Sequence, residues 1–148
     1  MFYSRKFSLK PGDRIIGPVT ELGIAKHHAI YLGWDERGIE WVIENSKFVG
    51  VQLVKARDYF KNVVGIDAIE KFTGNNIARK MAVQKALRLI GKPYHLIDYN
   101  CEHFANDIQF AKPESKQVND FFYHVKAVIG VITILYFVTQ LITIKEQR

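Results

Sequence analysis

At 148 residues the chain suggests one domain with a modest core. Its single cysteine, Cys101, excludes an internal disulfide and a multi-cysteine zinc site, so the fold suits a reducing compartment or needs no crosslink. A net charge of +6 favours anionic partners, but the basic residues are scattered, and no nucleic-acid groove is indicated.

The first residues, "MFYSRKFSLKPGD", hold no apolar run ahead of their charges, so no secretory signal peptide is expected. Pro11-Gly12-Asp13 is turn chemistry, and "RIIG" after it reads as a short strand. "GPVTELG" from Gly17 reads as a loop. "HHAIYLGW", His27 to Trp34, is a strand, "DERG" a turn, and "IEWVIEN" from Ile39 the returning strand of a hairpin. "VQLV" after Gly50 is another strand, and Val63 to Ile69 one more.

From Asn75 to Ile90 the apolar residues fall at helical spacing: Ala78, Met81, Ala82, Ala86, Leu89, Ile90. Asn75 or Asn76 caps the start, and Gly91 with Pro93 stops the helix. A second helix is predicted from Cys101 to about Phe110, with Phe104 and Ile108 facing the core and Glu102, Asn106 and Asp107 facing elsewhere. Ala127 to Ile144 is free of charge for 18 residues, between Lys126 and the charged Lys145, Glu146 and Arg148. As a helix it spans roughly 27 Å, close to a hydrocarbon core of about 30 Å. Thr133, Thr139, Gln140 and Thr143 dilute it and leave a buried or interfacial helix as the other reading. The expected architecture is α+β: a small antiparallel sheet on two helices over residues 1–112, a linker over 113–126, and a membrane-anchoring helix over 127–144.

Cys101 sits among polar residues in "DYNCEHFAND". Asn100 is a good N-cap, which puts Cys101 at the first helical position, where unpaired N–H groups and the helix dipole favour a thiolate and can receive an oxyanion. A thiol nucleophile also needs an imidazole in reach and a group to orient it. His103 lies two residues on, about 200° around the helix, and points away. His124 adjoins the apolar tail, and His95 in the "PYHL" loop stays open. His27 and His28 face opposite sides of one strand; His28 shares the apolar side with Ile30 and Leu32, and His27 the side of Ala29, Tyr31 and Gly33. The residues alone leave Cys101 open between an inert thiol and a nucleophile.

Together, "NCEHFAN", "HHAIYLG" and "KPGD", in the order they take here, resemble the lecithin retinol acyltransferase-like family, a permuted relative of NlpC-type papain-like peptidases. The resemblance runs from about Lys10 to Phe110, and the apolar tail matches its phospholipase A/acyltransferase branch. It implies that Cys101 is the nucleophile and His27 the general base, with His28 non-catalytic. The family's second histidine, in a Val-Ile-His context, reads here as Val42-Ile43-Glu44. Glu44 is therefore the expected third member, with Asn45 the alternative if the strand is bulged and a Cys-His dyad the alternative to both. The implied reaction is phospholipase A1/A2 or acyltransferase chemistry on a glycerophospholipid through an acyl thioester on Cys101, with water, a lysolipid, an amine or an alcohol as acceptor. It needs no cofactor and no metal. The expected location is a membrane, with one C-terminal anchor and the catalytic domain in the cytosol. Two rival functions are an NlpC-type thiol peptidase or amidase and an inactive tail-anchored module that remodels membranes or binds a partner.

Overall fold

The structure, a computed structural model, describes residues 2–21 and 25–146 and divides into two units, residues 1–115 and 116–148. The last two residues of the loop expected from Gly17, and the flanking Arg148, lie outside the described residues.

In the first unit, β1 (Arg14–Pro18), β2 (Lys26–Trp34), β3 (Glu40–Ser46), β4 (Gly50–Lys55) and β5 (Ala68–Glu70) form an antiparallel sheet in the order β4-β3-β2-β1-β5. The period-two alternation of β2 divides the core. Ala29 and Tyr31 join Leu9, Ile15, Val42, Ala56 and Tyr59 on one face. On the other, Ile30 joins Ile43 and Val51 beneath α3 (Asn76–Arg88) and α4 (Cys101–Phe110), which contribute Ala82, Ala86, Phe104, Ala105 and Ile108.

Both helices form as their sequences dictate. Asn75 caps α3 by accepting from Ala78 N at 2.9 Å, and Ala82 and Ala86, four apart, are its buried stripe. In α4, Phe104 and Ile108 make the same stripe at 0% and 5% exposure. Burying Phe104 contributes about 1.5–3 kcal/mol by transfer alone. The helix ends at Ala111, in the left-handed conformation at φ 54°, just before Pro113.

The α+β reading holds, with three differences. Two short helices, α1 (Tyr3–Lys6) and α2 (Ala56–Asn62), were not expected. The N–H groups of Tyr3 and Ser4 in α1 donate to Glu40, more than thirty residues away, a contact no local pattern encodes. α2 buries only Ala56 and Tyr59, too few for a periodic signal. The segment predicted as a strand from Val63 to Ile69 pairs only from Ala68. Before it, Asp67 N bonds Ile16 O at 2.8 Å, and Gly65 O passes so close to Gly17 that a side chain there would overlap it.

In the second unit, α5 (Lys116–Glu146) is one continuous helix of 31 residues. Its stretch Lys116–Thr139, 24 residues with none of its apolar window buried, is long and apolar enough to cross a membrane: about 36 Å against a hydrocarbon core of about 30 Å. The helix takes in residues 116–126 of the segment expected as a linker, which contain neither glycine nor proline to break it. Two of the threonines that dilute the tail are internally satisfied: Thr133 Oγ1 donates to Ile129 O and Thr139 Oγ1 to Tyr136 O.

Candidate active site

The register of the sheet assembles a side-chain row at one end. Glu44 of β3 lies opposite Ala29 of β2 and opposite Gln52 of β4. His27 is two residues from Ala29 and so shares its face, diagonal to Glu44. The β2–β3 bulge falls beyond Tyr31, on the far side of this pair, and leaves the register here intact. The result is a chain of hydrogen bonds. Gln52 Nε2 donates to Glu44 Oε1 at 2.9 Å, and His27 Nε2 donates to Glu44 Oε2 at 2.7 Å. With Nε2 so engaged, Nδ1 is the ring nitrogen left for the Cys101 side chain, whose charge helps raise the His27 pKa. The sulfur lies 3.7 Å from Lys26 O, so Cys101 meets His27 where β2 begins. Asn45 turns to the opposite face, fully buried, and donates to Tyr99 O at 2.7 Å.

Charge follows geometry. Burial disfavours the charged His27 ring, but hydrogen bonds to Cys101 and Glu44, and their negative charge, outweigh it; its pKa is pushed up to about 9. Burial likewise opposes ionisation of Glu44, and the bond and charge of His27, then the Gln52 amide, hold its pKa below the usual carboxylate range. His27 is therefore imidazolium at neutral pH, beside a carboxylate. His28 is its opposite: burial first and the Arg14 charge second hold its pKa down to about 3. Its Nδ1 accepts from Arg14 Nε at 2.9 Å, and Arg14 also donates to Asn106 Oδ1 of α4 at 2.7 Å. His28 is thus a neutral staple between sheet and helix, polar on a face that reads as apolar.

Asn100 fixes the start of α4. Its Oδ1 accepts from Glu102 N at 2.9 Å and His103 N at 3.0 Å, its carbonyl accepts from Phe104 N, and its own N–H donates to His103 Nδ1 at 3.2 Å. Of the first four N–H groups of the helix, only that of Cys101 has no acceptor among the described residues. His103 is spent on the cap. Glu102 is buried, and Ser115 Oγ, which accepts from Asn100 Nδ2 at 3.2 Å, donates to its Oε2 at 2.7 Å. His95 is exposed, and His124 lies in α5.

A cavity of about 260 Å³ opens beside His27 and Glu44, with Pro18, Val19, Val54, Tyr59, Val63 and Val64 among its lining. Among the described residues, no group of three or more His, Cys, Asp or Glu can hold a metal ion. The sequence reading did not single out Gln52, Tyr59 or Arg14. Gln52 was within reach of it, because a short β3–β4 hairpin through Gly50 sets it opposite Glu44.

Comparison with known proteins agrees with the motifs. The chain is 46% identical over 40 residues to phospholipase A and acyltransferase 3 of Mus musculus, a stretch covering 26% of this chain and 25% of that protein. The chain thus spans about a quarter of the length of that curated relative. No solved structure matches. The model of the family described as lecithin retinol acyltransferase matches residues 8–114, more than two thirds of the chain, and the chain belongs to that family.

Proposed function

We propose that the protein is a cysteine-dependent phospholipid acyl hydrolase or acyltransferase. The observation that carries the reading is His27, bonded to the Glu44 carboxylate at 2.7 Å, where Cys101, at the first turn of a capped helix, meets the start of β2. In the first half-reaction, with the Cys101 proton held by His27, the sulfur attacks the ester carbonyl carbon of a glycerophospholipid. The carbonyl oxygen gathers negative charge and is received by the Cys101 N–H. The tetrahedral species collapses, the carbon–oxygen ester bond breaks, and His27 passes its proton to the departing lysophospholipid alkoxide. In the second, His27 takes a proton from water, a lysolipid, an amine or an alcohol. That acceptor attacks the thioester, and the carbon–sulfur bond breaks to restore thiolate and imidazolium.

Glu44, where the family resemblance leads one to expect histidine, serves the same end. A carboxylate holds the imidazole in one tautomer and stabilises its charged form. The depressed Glu44 and raised His27 values support a functioning site over an inactive module. The α5 helix anchors the protein in a membrane, with the catalytic domain on the cytosolic side. Tethering to the lipid surface raises the effective substrate concentration.

The test is release of lysophospholipid and fatty acid from phosphatidylcholine vesicles by the full chain. Wild type releases both, and Cys101→Ser and His27→Ala release neither. Absence of product from folded wild type sinks the lipid-enzyme reading, and cleavage of a cell-wall peptide instead favours the peptidase. Protease protection in sealed microsomes checks orientation: cytosolic protease should remove the first 115 residues.

A further inference from the structure

The two ends of the sheet differ in what they expose. The far end carries the β2–β3 turn, Asp35 to Gly38, whose Glu36, Arg37 and Gly38 are exposed and none of whose residues is apolar. Trp34 and Phe2 are half-exposed there but pack on each other edge to face at 4.7 Å. At the end that carries Cys101 and His27, two turn tips expose bare apolar side chains. The β3–β4 turn, Lys47 to Val49, presents Phe48 at 91% and Val49 at 62% exposure. The second tip, Leu96 to Asp98, closed below by reciprocal His95–Tyr99 backbone bonds, presents Leu96 at 68% and Ile97 at 51%.

The tips are tied to each other and to the site. Val51 N donates to Lys92 O and Gly91 N to Val51 O, both at 2.9 Å. The close approach of Lys92 O to Gly50, at φ +84°, leaves no room for a side chain there. Leu96 O accepts from Asn100 Nδ2, the residue that caps the helix bearing Cys101. In sequence, β3 ends and turns through Phe48 beside the point where β2 starts at Lys26 and His27. Lys47 lies within the first tip and Lys92 shortly before the second, which itself holds Asp98.

We infer that this end of the domain is a bilayer-docking face: Phe48-Val49 and Leu96-Ile97 insert among the headgroups of a phospholipid leaflet and bring Cys101 to the depth of the ester bonds. Several observations favour a bilayer over a second protein. The apolar groups are single side chains on turn tips rather than a flat packed face. Lys47 and Lys92 beside the tips suit anionic headgroups. The same chain carries a helix long and apolar enough to cross a membrane. The inference takes its lipid substrate from the proposed function, but its first readout is independent of catalysis.

The experiment uses the full chain with Cys101→Ser, single cysteines introduced as Phe48→Cys, Leu96→Cys or Glu36→Cys, and nitroxide labels, in vesicles of phosphatidylcholine with phosphatidylserine. Labels at 48 and 96 should collide more with oxygen than with a water-soluble nickel chelate, and the label at 36 the reverse. Chelate access at 48 and 96 equal to that at 36 overturns the inference. So does shielding from both reagents, which would mark a protein contact, with spin–spin broadening identifying a second copy. In the otherwise native chain, Phe48→Asp with Leu96→Asp should lower turnover of vesicle phospholipid about tenfold or more, since apolar insertion scales with buried area. The rate at which iodoacetamide alkylates Cys101 should stay unchanged. If alkylation slows as well, Phe48→Ser and Leu96→Ser replace the pair, and unchanged vesicle turnover in these overturns the inference. Should wild type lack lipid turnover altogether, the label depths still decide the docking face.

Discussion

Replacing Glu44 by glutamine keeps the shape of the side chain and removes its charge. Gln52 can rotate its amide to keep a hydrogen bond to the new residue, so the chief loss is the attraction between Glu44 and the His27 imidazolium. The pair is bonded at 2.7 Å, with side chains 24% and 15% exposed. Unit charges about 4 Å apart attract by about 1 kcal/mol in water and about 4 at an effective dielectric of 20, so a partly buried pair lies near 1–3 kcal/mol. At 1.36 kcal/mol per pH unit that is about one to two units. The His27 ring, at about 9 in the native protein, should then titrate between about 7 and 8 in Glu44→Gln. The assay is the histidine ring titration by NMR, alongside the pH–rate profile. The alkaline limb, where His27 loses the proton it must give to the leaving alkoxide, should move down with the ring. Stability should move with it. The folded protein holds the His27 proton more tightly than the unfolded chain, whose ordinary value is 6.5. This contribution is therefore complete below pH 6.5 and is lost as pH rises through about 9. In the variant that window should close by about pH 8. A His27 titration unchanged to within about 0.3 units would refute the placement of Glu44 as its charge partner.

Three further predictions follow from other contacts. Gln52→Leu removes the amide from Glu44 Oε1; it should lower the His27 titration by less than Glu44→Gln does and reduce turnover severalfold, while Gln52→Asn restores part of both. Asn100→Ala removes the cap that fixes Cys101; it should cost about 1–2 kcal/mol in chemical denaturation and slow alkylation of Cys101. Ending the chain at Ser115 should move the protein to the soluble fraction with the His27 titration intact, and a truncated chain that still pellets with membranes contradicts the anchor.

Much of the fold is written in short-range pattern. The alternation from His27 to Trp34 gives β2 and its two faces, and Phe104 and Ile108 with Asn100 give α4 and its cap. What was hidden depends on distant partners. α1 is held by Glu40, and the expected strand from Val63 is shortened because its first residues bond back to β1. At the site, helical geometry alone removes His103, and the structure shows where it goes, into the cap. That α4 begins beside the first residue of β2, seventy-five positions earlier in the chain, was not legible in composition or period. The choice between Glu44 and Asn45 is a matter of register, which a bulge near Glu44 would have reversed. Glu102, expected to face away from the core, is instead buried with Ser115, because the chain after α4 folds back over the cap.

The central claim is a covalent one: an acyl group rests on Cys101 between two half-reactions. Intact mass measurement of the full chain, quenched in acid after brief exposure to a phosphatidylcholine of defined acyl composition, tests it directly. The account predicts a mass gain of one acyl group, mapped to the peptide containing Cys101, released by hydroxylamine and absent from Cys101→Ser and His27→Ala. Lysophospholipid release by wild type with no adduct at any quench time, or an adduct that survives in Cys101→Ser, would contradict it.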